Sequence, residues 1–158
     1  MKNFLKYTLA AAAAVTLAQT SAEAGNRVVV RQSGGGVAEV TQSGKNNSVS
    51  IHQQKSKAQK ADEHKSGGGH LAIIRQEGDR NSVEQHQEGE DNVALVDQSG
   101  VRNSVRQIQE GKENLAMSLQ EGESNTIAHT QIGDGHSKTV TQSGSGKNRV
   151  ITQTGKQD

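Results

Sequence analysis

Read at every second residue, the chain shows short apolar series closed at both ends by amides. Asn92, Ala94, Val96 and Gln98 form one series and Asn47, Val49, Ile51 and Gln53 another, the period-2 signature of a strand with one buried face. From Gln76 the closing Gln returns every 11 residues without a slip, at Gln87, Gln98, Gln109, Gln120, Gln131, Gln142 and Gln153. Asn falls five places after it at Asn81, Asn92, Asn103, Asn114 and Asn125. A Gly stands two places after each Gln, at Gly78, Gly89, Gly100, Gly111, Gly122, Gly133, Gly144 and Gly155, where positive φ suits a turn. A period this strict identifies an array of one structural unit.

A helical hendecad also has 11 residues, but a Gly in every repeat would cost about 1 kcal/mol each inside a helix. The spacers are rich in β-branched Val, Ile and Thr, so the repeat predicts strands. Because 11 is odd, each turn must absorb a change of parity to keep Gln and Asn on the inner side. Two strands and two turns then close a 22-residue coil, and stacked coils make an all-β solenoid whose strands pair across 22 residues at about 4.8 Å.

The same phase reaches back through the less regular first half, at Asn26, Val28, Val30 and Gln32, then Gly36, Ala38, Val40 and Gln42. Their turns fall at Gly34 and Gly44. After Gln53 comes a lysine-rich, degenerate copy, Gln59, Ala61, Glu63 and Lys65, with its turn at Gly67; His70, Ala72 and Ile74 lead back into the regular series. Counting that copy predicts 12 half-coils, or six coils, in one domain: first half-coils in 25–53, the degenerate repeat in 54–69 and regular half-coils in 70–158.

An inward amide in a dry core is costly unless paired. In a stack of like coils, Gln32, Gln42, Gln53 and the later Gln residues, with Asn47 and the later Asn residues, can each donate to one neighbour and accept from the other, as in cross-β ladders. The outward positions between them are apolar on one sheet only: Leu71, Ile73, Val93, Leu95, Leu115, Met117 and Leu119. Such a stripe is a candidate docking surface, for an outer-membrane surface or a fibre subunit. No capping element is evident at either end of the array, and an open strand edge is a template for another chain.

Residues 1–24 differ in kind. Lys2 and Lys6 precede an apolar run from Thr8 to Ala18, and Ala22-Glu23-Ala24 ends the segment. This predicts a secretory signal peptide, cleaved between Ala24 and Gly25, with a run too short to span a bilayer. Removing it takes away Phe4 and Tyr7, the only Phe and Tyr, and leaves 16 basic and 16 acidic residues with no Cys, Pro or Trp. That excludes a disulfide framework and lacks the basic excess and aromatic platforms of a nucleic-acid binder. No catalytic or cofactor-binding set is expected, and no metal site. His64 and His86, 22 residues apart, are expected to stack as exposed imidazoles. Glu88 and Glu110, at the same spacing, are expected to repel.

The unit Q-x-G-x-x-N-x-A-x-x-x-Q after a signal peptide resembles the curlin repeat of curli, the functional amyloid of bacterial surfaces, over nearly all of residues 26–153. Gln-Gly-Asn in both halves of each coil and the many charges are more similar to the minor, nucleating subunit than to the major one. The resemblance implies a non-catalytic fibre subunit for adhesion and biofilm matrix, secreted through the periplasm to the cell surface. Its partners would be other curlin chains, an outer-membrane secretion pore and accessory factors. The alternatives are the major fibre subunit and, in another class, a soluble β-solenoid adhesin or binding protein.

Overall fold

The computed structural model describes residues 4–10, 13–19, 25–33, 36–55 and 69–156, with backbone only for the first two segments. Every regular element among them is a strand: β1 (Phe4–Ala10), β2 (Ala13–Gln19), β3 (Arg27–Ser33), β4 (Gly36–Ser43), β5 (Ser48–Lys55), β6 (His70–Asp79) and β7 (Ser82–Glu90). The series continues with β8 (Val93–Val101), β9 (Ser104–Lys112), β10 (Leu115–Glu123), β11 (Thr126–Asp134), β12 (Ser137–Ser145) and β13 (Asn148–Lys156). Odd-numbered strands form one parallel sheet in sequence order and even-numbered strands form the other. The chain therefore winds as a parallel β-solenoid, alternating sheets at every turn.

Register is set by the inward residues. Gln98 pairs with Gln76 and Gln120, and Ala94 with Ala72 and Ala116, so a slip of one residue would turn every amide and apolar side chain outward. Val28, Val49, Val83, Val105 and Ile127 of the odd sheet face Ala38, Ala72, Ala94 and Ala116 of the even sheet, all at most 2% exposed. Small residues on one sheet and branched ones on the other keep the two layers close, as alternation of large and small side chains requires in a dense core.

The parity change is absorbed at two left-handed positions in each regular turn. Gly100 has φ 112°, and Arg102, just before Asn103, has φ 59°. Asp91, Glu113 and Ser124 repeat that second position with φ of 54°, 55° and 57°. Glycine at the first is obligatory for a further reason: a Cβ on Gly100 would collide with the carbonyl oxygen of Gly122, one coil on. The second position, four places after Gln, holds residues of every chemical kind and so left no signature in the repeat.

One expectation is corrected. β4 pairs directly with β6, Gln42 opposite Gln76, and β5 with β7, Gln53 opposite Gln87. In the described stack no strand therefore stands between β4 and β6 or between β5 and β7, where the sequence predicts a half-coil from residues 54–69. They form an insertion between β5 and β6, and β3–β13 make 11 half-coils, not 12. Gln59, Ala61, Glu63, Lys65, Gly67 and His64 themselves lie outside the described residues, as do Gly34 and Ala24.

β1 and β2 extend both sheets: β1 pairs with β3 and β2 with β4, seven residue pairs each. Removal of residues 1–24 would bare the edges of β3 and β4.

Candidate functional site

The repeat's amides form four hydrogen-bonded columns along the stack. In the even sheet Gln42 Nε2 donates to Gln76 Oε1, Gln76 to Gln98 and Gln98 to Gln120, each at 2.8 Å, and Gln120 to Gln142 at 3.1 Å. In the odd sheet Gln32 donates to Gln53, then Gln53 to Gln87 at 2.8 Å, Gln87 to Gln109 at 2.9 Å, Gln109 to Gln131 at 3.0 Å and Gln131 to Gln153 at 2.9 Å. The second amide hydrogen of the odd-sheet Gln crosses the core: Gln109 reaches Val93 O and Gln131 reaches Leu115 O, both at 3.0 Å. Each Gln thus ties coil to coil and sheet to sheet.

Asn fixes the turns. Asn103 Nδ2 donates to Ser99 O and to Gly122 O, both 3.0 Å, while its Oδ1 accepts from Asn125 N at 3.1 Å. Asn81 and Asn92 repeat the pattern, Asn125 donates likewise to Glu121 O and Gly144 O, and Asn47 and Asn114 bond the next turn in the same way. With every polar atom of Asn103 engaged, burial at 1% exposure carries no desolvation deficit.

Two histidines substitute for Asn in these columns. His136 Nε2 contacts Ile132 O at 3.2 Å and Gly155 O at 2.9 Å, the same carbonyl positions that an Asn amide bonds. His70 Nδ1 accepts from Asn92 N at 3.4 Å, as Asn Oδ1 does elsewhere. A further buried column was missed in the sequence. Gln85, Gln107 and His129 follow one another in register inside the odd sheet, at most 1% exposed. Gln107 Nε2 donates to Ser118 Oγ across the core at 2.8 Å, but both amide atoms of Gln85, Gln107 Oε1 and both ring nitrogens of His129 have no partner among the described residues. Burial, with Lys138 second, lowers the His129 pKa to about 4. Strict alternation back from Gln87, Gln109 and Gln131 would have found all three; their polar character hid them.

The two ends of the stack differ. At β3 and β4 the inward positions carry no charge, Gly36 standing where the column has Asn, and Gln32 Oε1 and Gln42 Oε1 are buried acceptors with no partner among the described residues. At β12 and β13 the columns are broken by charge. Lys138 continues the Ala column and Arg149 the Val column, in register with Ala116 and Ile127. Lys147 continues the Asn column, its backbone N bonded to Asn125 Oδ1 at 3.1 Å. Its side chain lies over Gly144, where the earlier turn glycines meet the next coil's glycine carbonyl. Inward charge on an edge is a recognised block to further strand pairing.

Outside, Leu71, Val93 and Leu115 align in one row and Ile73, Leu95 and Met117 in the next, with Leu119 beside Asp97. The Ile73 row is three coils tall and ends at Glu39, the Leu71 row runs one coil further to exposed Val37, and Ser137 and Thr139 bound both at the other end. Among the described residues, no three His, Cys, Asp or Glu side chains are placed to hold a metal. His86 is in register with His52 of β5; His64, its expected partner, lies outside the described residues. Glu88 and Glu110 are in register as expected. No family profile, curated protein or solved structure matches this chain.

Proposed function

We propose that the chain is an exported, non-catalytic subunit of a curli-type surface fibre, acting as its seed and not as its repeating brick. The observation that carries this reading is the contrast between the ends. Once the leader is removed, β3 and β4 offer uncharged inward series and two Gln acceptors to the donors of an incoming chain. The opposite end, with Lys138, Lys147 and Arg149 at inward positions, resists stacking. Such a chain templates others but cannot extend from both faces. Its partners are curlin chains with uncharged last coils, and the resemblance supplies the secretion pore, the accessory factors and the cell-surface location. The apolar stripe is the face offered for anchoring, to the outer membrane or to the first fibre subunit.

The test compares residues 25–158 with the same chain carrying Lys138→Ala, Lys147→Asn and Arg149→Val. The triple variant is expected to form thioflavin-positive fibres with a cross-β spacing of about 4.8 Å. The unaltered chain is expected to polymerise slowly alone and to shorten the variant's lag at low molar ratio. Should neither chain show a cross-β signal at high concentration, the fibre reading falls. Equal polymerisation by both would remove the seed and leave a brick.

A further inference from the structure

The insertion between β5 and β6 brings His52 and His86 together on the outer face of the odd sheet. Their ring centroids are 5.0 Å apart and the planes are inclined at 80°. Glu88, two residues along the same face of β7, places Oε2 3.7 Å from His86 Nε2. Glu110 continues the row beside Glu88, so two carboxylates of like charge lie side by side at the edge of the imidazole pair. Directly opposed like charges destabilise a sheet, and a cation held beside them would relieve that.

We propose that His52 and His86 bind one divalent transition-metal cation of the zinc or copper type as a two-imidazole site, with water completing the shell. The spacing fits. A Zn–N bond of about 2.0–2.1 Å, extended to the ring centres, puts two imidazoles on a tetrahedral ion with centroids roughly 5 Å apart. Imidazole is a preferred ligand for zinc, copper and nickel, and neutral imidazole is the ligating form. Glu88, beside His86 at 3.7 Å, adds negative charge near the ion and is not counted among its ligands. Glu84, on the other side of His86, is engaged by Arg106 at 3.4 Å; Arg31, next to His52 in register, and Arg106 itself are the nearby described groups that oppose a cation.

The position of the pair gives the binding a structural consequence. His52 and His86 are 34 residues apart, whereas rungs of the regular array are 22 apart. A metal would pin β5 to β7 across the longest loop closure in the stack, where closing entropy is greatest. This inference does not depend on the fibre reading.

The test is titration of residues 25–158 with Zn2+, and separately Cu2+, by calorimetry, alongside His52→Gln, His86→Gln and Glu88→Gln. One ion per chain is expected, at least tenfold weaker in either His variant and less weakened in Glu88→Gln. Saturating Zn2+ should raise the urea midpoint of the unaltered chain and leave that of His52→Gln unmoved. His129→Gln, buried elsewhere, should bind as the unaltered chain does. All these positions except 129 face outward, and circular dichroism confirms that the variants fold. Absence of saturable binding, or binding and stabilisation that persist in His52→Gln, would overturn the proposal.

Discussion

A ladder of amides predicts an unusual relation between the number of rungs removed and the stability lost. Replacing Gln98 by Met, unbranched and of similar length, removes the bonds to Gln76 and Gln120, both 2.8 Å long. Two polar groups are left facing the vacancy, Gln120 Oε1 and Gln76 Nε2, the latter keeping only its 3.4 Å bond to Ser48 O, in a core where Gln98 itself is 0% exposed. At about 1–3 kcal/mol for each buried unsatisfied group, the loss is roughly 2–6 kcal/mol, less a partial return from the apolar side chain. Replacing Gln76, Gln98 and Gln120 together removes four ladder bonds but again orphans only two groups, Gln42 Nε2 and Gln142 Oε1. The triple variant is therefore expected to be about as stable as the single one, and more stable if thioether burial favours it. Urea unfolding followed by far-UV circular dichroism, at concentrations where the chain is monomeric, measures both. The outward Ser99→Ala should move the midpoint by less than about 0.5 kcal/mol. A triple variant that loses three times as much as the single one would refute the ladder as a connected unit, and a Gln98→Met loss no larger than that of Ser99→Ala would refute its burial.

Two further outcomes follow from the core and the turns. His129 has a folded pKa of about 4 against an ordinary 6.5, so the fold favours the neutral ring; its contribution is complete above pH 6.5 and lost as pH falls toward 4, in all about 3 kcal/mol. His129→Gln, which extends the Gln85–Gln107 column, should flatten the urea midpoint against pH in that window, and an unchanged profile would count against a buried neutral imidazole. Gly100→Ala should destabilise by more than the roughly 1–2 kcal/mol of a left-handed residue, because its Cβ meets the next coil. Asp91→Gly, at φ 54°, should be neutral or stabilising by up to about 1 kcal/mol, and thermal unfolding of the pair would expose the reverse order if the turn geometry were wrong.

Much of this protein was legible in the order of its residues. The 11-residue return of Gln, Gly and Asn determined strands, turns, inward and outward faces, and the apolar stripe, because every coil repeats the same local problem and a period-2 strand leaves little freedom in register. It also located the partners of Gln98 and Asn103, since identical amides in a stack satisfy one another. Tertiary structure decided what depends on which coils lie in contact. Skipping the insertion paired His52 with His86, a relation no fixed period could reveal. The column of Gln85, Gln107 and His129 stayed hidden because polar residues at inward positions break the hydrophobic pattern used to find a core. Lys138, Lys147 and Arg149 read as ordinary surface charges until the stack put them in line with Ala, Asn and Val columns. A charge in a sequence has no inside or outside; only the neighbouring coil, by occupying or vacating the space above it, makes it a barrier.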